Sequence, residues 1–235
     1  MKISIITINW WTKDFAEKLH KSIVKNTEND FEILIVDNSN DLNNVVAEKA
    51  KIIRTSENLG HGTGLNLGIE MAMGEYILII DSDAHLLLKD WNLKLIAEFE
   101  KKADLKMACA TDGELLKPAK PLFMFFKRET IINNNISFRA REFDGVKFDV
   151  GIHAYFKILS LFGNKSILQL PYEKTKYIDV LGNEHLLNGE RLVYHNWYGS
   201  RFYENDGSVK VGQIDGLTYE DFINKKNNLF KQIEK

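Results

Sequence analysis

The sequence predicts an α/β protein with a mostly parallel central sheet flanked by helices and mixed strands in the C-terminal half. Two patterns predict it. Short β-branched runs alternate with amphipathic stretches along the first hundred residues, which is the order of βαβ units, and those runs end abruptly in polar residues. Composition agrees: 44% hydrophobic and 27% charged residues in a chain of 235 describe an ordinary folded protein.

The elements follow in order. Lys2–Asn9 is a β-branched run, and Phe15, Leu19 and Ile23 then recur at i, i+4, i+8 in a helix over Thr12–Asn26, with Thr12 as its N-cap. Phe31–Asp37 is a second apolar run ending in Asp37, Asn38, Ser39, Asn40 and Asp41; a helix-like stretch reaches Lys49 and a short strand covers Lys51–Thr55. A glycine-rich loop, Asn58–Gly64, opens a helix ending near Gly74, and Glu75–Ile80 is a buried strand running straight into Asp81-Ser82-Asp83. Trp91, Leu95 and Phe99 share one face of a further helix, and Lys106–Ala110 and Pro121–Phe126 read as strands. Thr218-x-x-Asp221 has the form of a capping box before a last helix that buries Phe222, Ile223, Phe230 and Ile233.

Length, the absence of repeats or an evident linker, and only three prolines predict a single domain over 1–235, with a first half at 1–103 and an elaborated second half at 104–235. The balance of 31 basic against 33 acidic residues offers no field for a polyanion, so nucleic acid is not an expected partner. Cys109 stands alone and cannot form an internal disulfide. Met1 and Lys2 lead directly into a strand, without the apolar segment of a signal peptide, and no run approaches the ~20 apolar residues that cross a bilayer. The expectation is a cytoplasmic protein without a transmembrane segment, visiting at most the inner face of a membrane.

In open α/β sheets, ligands bind outside the carboxyl ends of the strands, so Asn9, Asp37, Asp81 and Asp83 are expected around one cleft. Asp81 and Asp83, two apart on an extended segment, would point the same way. Paired carboxylates there can hold Mg²⁺ or Mn²⁺ against a diphosphate. Asp37 and Asn38 could bond a base or ribose, with Thr7 and Asn9 ending the first strand beside them. Seven basic residues between Lys117 and Lys147 (Lys117, Lys120, Lys127, Arg128, Arg139, Arg141 and Lys147) suit either a phosphate-facing loop or a solvated surface. Gly60-His61-Gly62-Thr63-Gly64 follows the third strand, whereas a dinucleotide fingerprint follows the first, which argues against a dehydrogenase. These glycines make a tight turn or contact a donor; His61 reads as a solvated loop residue, and Trp10 and Trp11 as core or as a stacking surface.

The ordered set Thr7-Ile-Asn9, Glu32–Asp41, Asn58-Leu-Gly60 with Gly62, Gly64, Asn66 and Gly68, and Gly74–Asp83 resembles the family-two glycosyltransferases over about the first hundred residues. The resemblance implies a GT-A fold and transfer of a sugar from a nucleotide diphosphate donor, with a UDP-sugar favoured, to a glycan or lipid-linked acceptor in polysaccharide or glycan synthesis. It places Thr7, Asn9, Asp37 and Asn38 on the nucleotide, and Asn58, Gly60, Gly62 and Asn66 on the donor side. It places Asp81, Ser82 and Asp83 on the diphosphate and its Mn²⁺ or Mg²⁺, with Asp83 the more direct ligand. A histidine near the C-terminus of such enzymes completes the metal shell, which here falls on His195; a histidine bonded within an aromatic cluster is the alternative.

The family's Glu-Asp acceptor motif is absent. Phe143-Asp144 and Phe148-Asp149-Val150-Gly151 stand in its region, making Asp149 the candidate base and Asp144 its competitor, and either could instead cap a turn. The likeness implies an inverting displacement. Arg201 suits the diphosphate or the surface, while His85, His153 and His185 have no assignment. A nucleotidyltransferase or a non-catalytic nucleotide-sugar-binding module remain as other readings, and a homo-oligomer is left open.

Overall fold

The computed structural model describes residues 2–28, 30–39, 49–111, 121–143 and 146–233. The first half runs β1 (Ile3–Asn9), α1 (Lys13–Asn26), β2 (Phe31–Asp37), β3 (Ala50–Arg54), α2 (His61–Met71), β4 (Tyr76–Ile80), β5 (Ala84–Leu86) and α3 (Trp91–Lys101). The second half continues with β6 (Met107–Ala110), β7 (Phe123–Lys127), α4 (Arg128–Asn133), β8 (Arg141–Phe143), β9 (Val146–Phe148), α5 (Ile152–Phe162), β10 (Ile167–Leu170) and β11 (Tyr172–Lys174). It closes with β12 (Asn183–Leu187), β13 (Glu190–His195), β14 (Gln213–Ile214), β15 (Leu217–Thr218) and α6 (Tyr219–Ile233). The helix-like stretch expected before Lys49 falls at 40–48, outside the described residues.

A seven-stranded sheet takes the order β10-β6-β7-β4-β1-β2-β3. It is parallel except where β7 enters antiparallel between β4 and β6. Every residue of β1 is buried, because helices cover both faces and the strand can be apolar throughout. Ile3 and Ile5 join a core with α1, α3 and part of a second sheet; Ile6 and Ile8 join the other core, under α2, α4 and α5. Helix α2 lies close on the sheet because it is glycine-rich: a β-carbon on Gly68 would stand 2.5 Å from Ile6 Cγ2.

Trp91 anchors α3 against the sheet. Fully buried, it meets Phe123 and Phe125 edge-on and donates its indole N–H to Thr27 Oγ1 at 3.0 Å. Trp91→Ala is expected to cost about 3–5 kcal/mol, the usual range for emptying an aromatic site. Urea unfolding that shows a lower midpoint at unchanged slope checks it.

The second sheet, β11-β12-β13-β5, is antiparallel and joins a strand at residues 84–86 to strands about a hundred residues later. A third apolar cluster gathers Phe15 of α1, Tyr194, Phe202 and the buried face of α6. The capping box expected at α6 is present: the Asp221 N–H donates to Thr218 Oγ1, and the Thr218 N–H and hydroxyl donate to Asp221 Oδ2. Thr12 does occupy the N-cap of α1, but its hydroxyl makes no cap hydrogen bond and is used elsewhere.

Candidate active site

Parallel registry lines up the carboxyl ends of β1, β2 and β4. Asn9 lies directly beside Asp37, and Ile6 beside Ile79, so the Asp81–Asp83 segment emerges next to the end of β1. Asn9 is fully buried and acts as a brace. Its amide donates to Asp37 Oδ1 at 2.9 Å, and its oxygen accepts from the N–H and hydroxyl of Thr12 at 3.3 and 3.0 Å. The Thr12 hydroxyl also meets Ser82 Oγ at 2.8 Å, tying the end of β1 to the acidic segment.

Asp37 Oδ1 additionally accepts from the Ser39 N–H and hydroxyl, whereas Asp37 Oδ2 is buried without a hydrogen-bond partner. A buried carboxylate oxygen in that state is an acceptor awaiting a donor. Its chain neighbours Asn38 and Ser39 line a hollow with Trp11, Glu57 and Asn58, while the buried Asp37 itself lines neither that hollow nor the main cleft. Thr7 is buried on β1, and neither it nor Asn9 lines the cleft.

Asp81-Ser82-Asp83 is a turn, not the extended segment expected: the Ala84 N–H donates to Asp81 O at 3.1 Å. The turn, rather than strand alternation, converges the two carboxylates, and β5 then pairs with β13 so that Ala84 faces His195. His195 Nε2 consequently lies 3.3 Å from Asp83 Oδ1 and 3.7 Å from Asp81 Oδ2. Asp83 Oδ2 is held by the Gly199 N–H at 3.0 Å. Ligand atoms of Asp81, Asp83 and His195 all lie within 4.8 Å of one another, a group able to hold a metal ion. Two hard carboxylates and one imidazole fit Mn²⁺ or Mg²⁺ better than an all-oxygen Ca²⁺ cage.

His61, expected to be only solvated, opens α2 at the cleft wall and places Nε2 3.4 Å from Asp81 Oδ1. Asp81 is thus flanked by two imidazoles. Burial raises its carboxyl above the usual range; His61 and His195 act to lower it, and Asp83 and Asp149 to raise it further. A carboxyl raised on folding favours the folded state at low pH, and that contribution is lost as pH rises through its folded value. Asp81→Asn is therefore expected to raise the melting temperature of the metal-free protein at pH 7, with the gain shrinking on acidification towards the ordinary carboxylate range. Thermal unfolding in a chelator at both pH values measures it.

Asp149 precedes α5 and lines the same cleft; its Oδ1 accepts from the Val150 N–H at 2.7 Å. Asp144 lies outside the described residues. Gly60, at φ 75° where L side chains are strained, and Asn58, whose side chain accepts from the Gly60 N–H at 2.8 Å, both line the cleft. Gly62 and Asn66 do not. A β-carbon on Gly62 would stand 2.4 Å from Phe138 O, and Asn66 donates to Ser137 Oγ and accepts from the Phe138 N–H. Both hold the Ser137–Arg139 segment on α2, so their place in the motif reflects packing rather than contact with the cleft.

Of the basic segment, Lys127, Arg128, Arg139 and Arg141 fall away from the site. Lys127 pairs with Tyr76 at the amino end of β4, the end of the sheet opposite the cleft, and Arg128 follows it. Arg139 and Arg141 are exposed outside the cleft, and Lys117 and Lys120 lie outside the described residues. Arg201 does line the cleft, 3.5 Å from Asp215 and 5.2 Å over the Tyr198 ring. His85 is structural: burial against Tyr194 and Tyr177 pushes it down to about 3.

Asn38, Asn58, Gly60, His61, Asp81, Ser82, Asp83, Asp149, His195 and Arg201 line a cleft of about 690 Å³, a size suited to a small organic ligand. The fold is that of the GT-A glycosyltransferase structures. The family model for glycosyl transferase family 2 matches residues 3–150, and the chain belongs to that family. The structure of S. aureus TarS 1–349 in complex with UDP-GlcNAc aligns with a TM-score of 0.58 at 18% identity, over 98% of this chain and 67% of that one. A second S. aureus TarS 1–349 structure aligns at 0.54 and 16% identity over 83% of this chain, and the alignment covers 60% of that chain's length. Mannosyltransferase PcManGT from Pyrobaculum calidifontis, in complex with GDP-Man and Mn²⁺, aligns at 0.54 and 14% identity over 72% of this chain and 54% of that one. These likenesses carry the fold. No curated protein sequence matches the chain, and among the described residues no helix is long and apolar enough to cross a membrane.

Proposed function

We propose that the chain transfers a glycosyl group from a nucleotide diphosphate sugar to an acceptor hydroxyl with inversion at the anomeric carbon. The convergence of Asp81, Asp83 and His195 at the strand ends carries this reading. The unpartnered buried oxygen of Asp37, next in the chain to the cleft-lining Asn38, and Asp149 on the cleft wall support it. The solved relatives hold UDP-GlcNAc in one case and GDP-Man with Mn²⁺ in another. A UDP-sugar is our preferred donor, because a single unpartnered acceptor on Asp37 matches the single ring N–H of uracil.

Asp81, Asp83 and His195 would hold Mn²⁺ or Mg²⁺, which when bound neutralises charge developing on the leaving diphosphate. Asn38, Asn58, Gly60 and Ser82 line the donor's path, braced through Asn9 and Thr12. Asp149 takes the acceptor's hydroxyl proton. The acceptor oxygen bonds to the anomeric carbon as the bond to the diphosphate oxygen breaks, and its electron pair leaves on the nucleotide diphosphate. One displacement inverts the centre. The whole chain works as one unit, its first 103 residues serving the donor and the remainder the acceptor apart from His195, which joins the donor's metal site, in synthesis of a polysaccharide or lipid-linked glycan at the cytoplasmic face.

Incubation with UDP- and GDP-sugars, a glycoside acceptor panel and Mn²⁺ tests this. The expected products are free nucleotide diphosphate and an extended glycoside of inverted anomeric configuration, with no turnover in chelator. Release of inorganic diphosphate in a parallel incubation with a nucleoside triphosphate and a sugar 1-phosphate would show a nucleotidyltransferase instead, and tight donor binding with no turnover would show a binding module.

A further inference from the structure

We infer that His61 is a positioning residue that leaves Asp81 a single oxygen for a metal, so that the cleft selects Mn²⁺ or Mg²⁺ over Ca²⁺; this rests on the metal-site reading above. Asp81 Oδ2 and Asp83 Oδ1 face His195, 3.7 and 3.3 Å from its Nε2. Asp83 Oδ2 turns away and accepts from the Gly199 N–H at 3.0 Å, and Asp81 Oδ1 turns away to stand 3.4 Å from His61 Nε2. Each acidic side chain thus meets His195 with one oxygen and an outer partner with the other.

Backbone conformation sets both outer contacts. Tyr198, at φ 74° where bulky residues are rare, turns the chain so that Gly199 reaches Asp83, and a β-carbon on Gly199 would stand 2.5 Å from Asp83 Oδ2. On the other side Gly60, at φ 75°, directs the chain into α2 so that His61 is its first residue, and Gly60 O accepts from the Gly64 N–H at 3.1 Å to close the first turn. The packing of Gly62 on Phe138 holds that turn at the cleft wall, which His61 lines. His61 donates from Nε2 both as the imidazolium and as the neutral ring protonated there, so its contact with an ionised Asp81 needs no change of charge.

Outer partners of this kind decide how a carboxylate binds. Ca²⁺ takes roughly six to eight oxygen ligands and often both oxygens of one carboxylate, whereas Mg²⁺ demands octahedral geometry and keeps positions for water and substrate phosphates. With Oδ1 of Asp81 engaged by His61 and Oδ2 of Asp83 engaged by Gly199, each side chain offers an ion one oxygen. That suits the smaller ion and leaves Ca²⁺ short of ligands, and Mn²⁺ accepts the imidazole besides. Groups that orient a ligating side chain typically change metal affinity by about 10–100-fold. A histidine that only shaped the loop, or one that touched the diphosphate itself, would leave the choice of ion unchanged.

Calorimetric titration of UDP and of GDP into the native chain, His61→Phe and His61→Gln, each in Mn²⁺, in Ca²⁺ and in chelator, tests this. Phe keeps a ring without a donor, and Gln restores an N–H near the place of Nε2. The native chain should bind one nucleotide diphosphate at least tenfold more tightly in Mn²⁺ than in Ca²⁺. His61→Phe should cut that ratio at least fivefold, His61→Gln should keep it within twofold, and affinity in chelator should stay within twofold in all three. The His61 side chain is 36% exposed, so both variants keep the fold, which melting in chelator checks. A native ratio near one, an unchanged ratio in His61→Phe, or an equal loss in Mn²⁺, Ca²⁺ and chelator would overturn the inference, the last by placing His61 on the diphosphate. Failure of the metal-site reading registers separately, as native protein that binds neither nucleotide or binds one equally in Mn²⁺ and in chelator, and it takes the inference with it.

Discussion

Asp83→Asn is expected to lower turnover by about 10³-fold and to remove the metal-dependent part of donor binding, the scale of losing a preorganised charge at a developing anion. The substitution keeps the volume and one acceptor, so the Gly199 N–H that now donates to Asp83 Oδ2 retains its partner. What changes is the atom facing His195, 3.3 Å away: a carboxylate oxygen becomes an amide N–H₂ or a neutral carbonyl. Neither neutralises a divalent cation. Metal-free melting should therefore remain at or above the native value while stabilisation by Mn²⁺ and donor disappears. An undiminished metal response would remove Asp83 from the metal site.

Asp149→Asn should lower kcat by about 10²–10⁴-fold, the range for a lost general base, with donor affinity unchanged. Its Oδ1 can still accept from Val150, so the turn into α5 at Gly151, φ 80°, survives. The discriminating measurement is the split between kcat and KM. A base produces a loss in kcat alone, whereas a residue that merely shapes the turn would change melting temperature and leave turnover within a few-fold.

How much of this was legible in the sequence depends on which interactions are local. Apolar runs such as Tyr76–Ile80 are buried on both faces and end where polar residues begin, so strands and their carboxyl ends could be read from pattern alone. The face a motif residue presents could not be read. Gly62 and Asn66 share a motif with Asn58 and Gly60, yet one turn of helix carries the first pair onto Ser137–Arg139 and leaves the second at the cleft. Lys127 and Arg128 are suited to phosphate by charge, but an antiparallel β7 delivers them to the far end of the sheet, and strand direction leaves no trace in a five-residue run.

The sheet carrying His195 was invisible for a different reason. Its three-residue strand at Ala84–Leu86 pairs with strands about a hundred residues away, and the long-range pairing alone juxtaposes Asn183, His185 and His195. His195 was reachable only through family resemblance. His61 does carry a local signal, since a residue opening a helix directly after a glycine loop lies where anions and metal-bound carboxylates gather.

The central claim is that Asp81, Asp83 and His195 join a divalent ion to a nucleotide diphosphate at the strand ends. Isothermal titration of UDP-GlcNAc and GDP-mannose into the native chain, each with Mn²⁺ and with a chelator, tests it most directly. Saturable binding of one nucleotide class with Mn²⁺, weakened at least tenfold in chelator, is the predicted result. No binding of either with Mn²⁺, or equal affinity with and without it, would contradict the account.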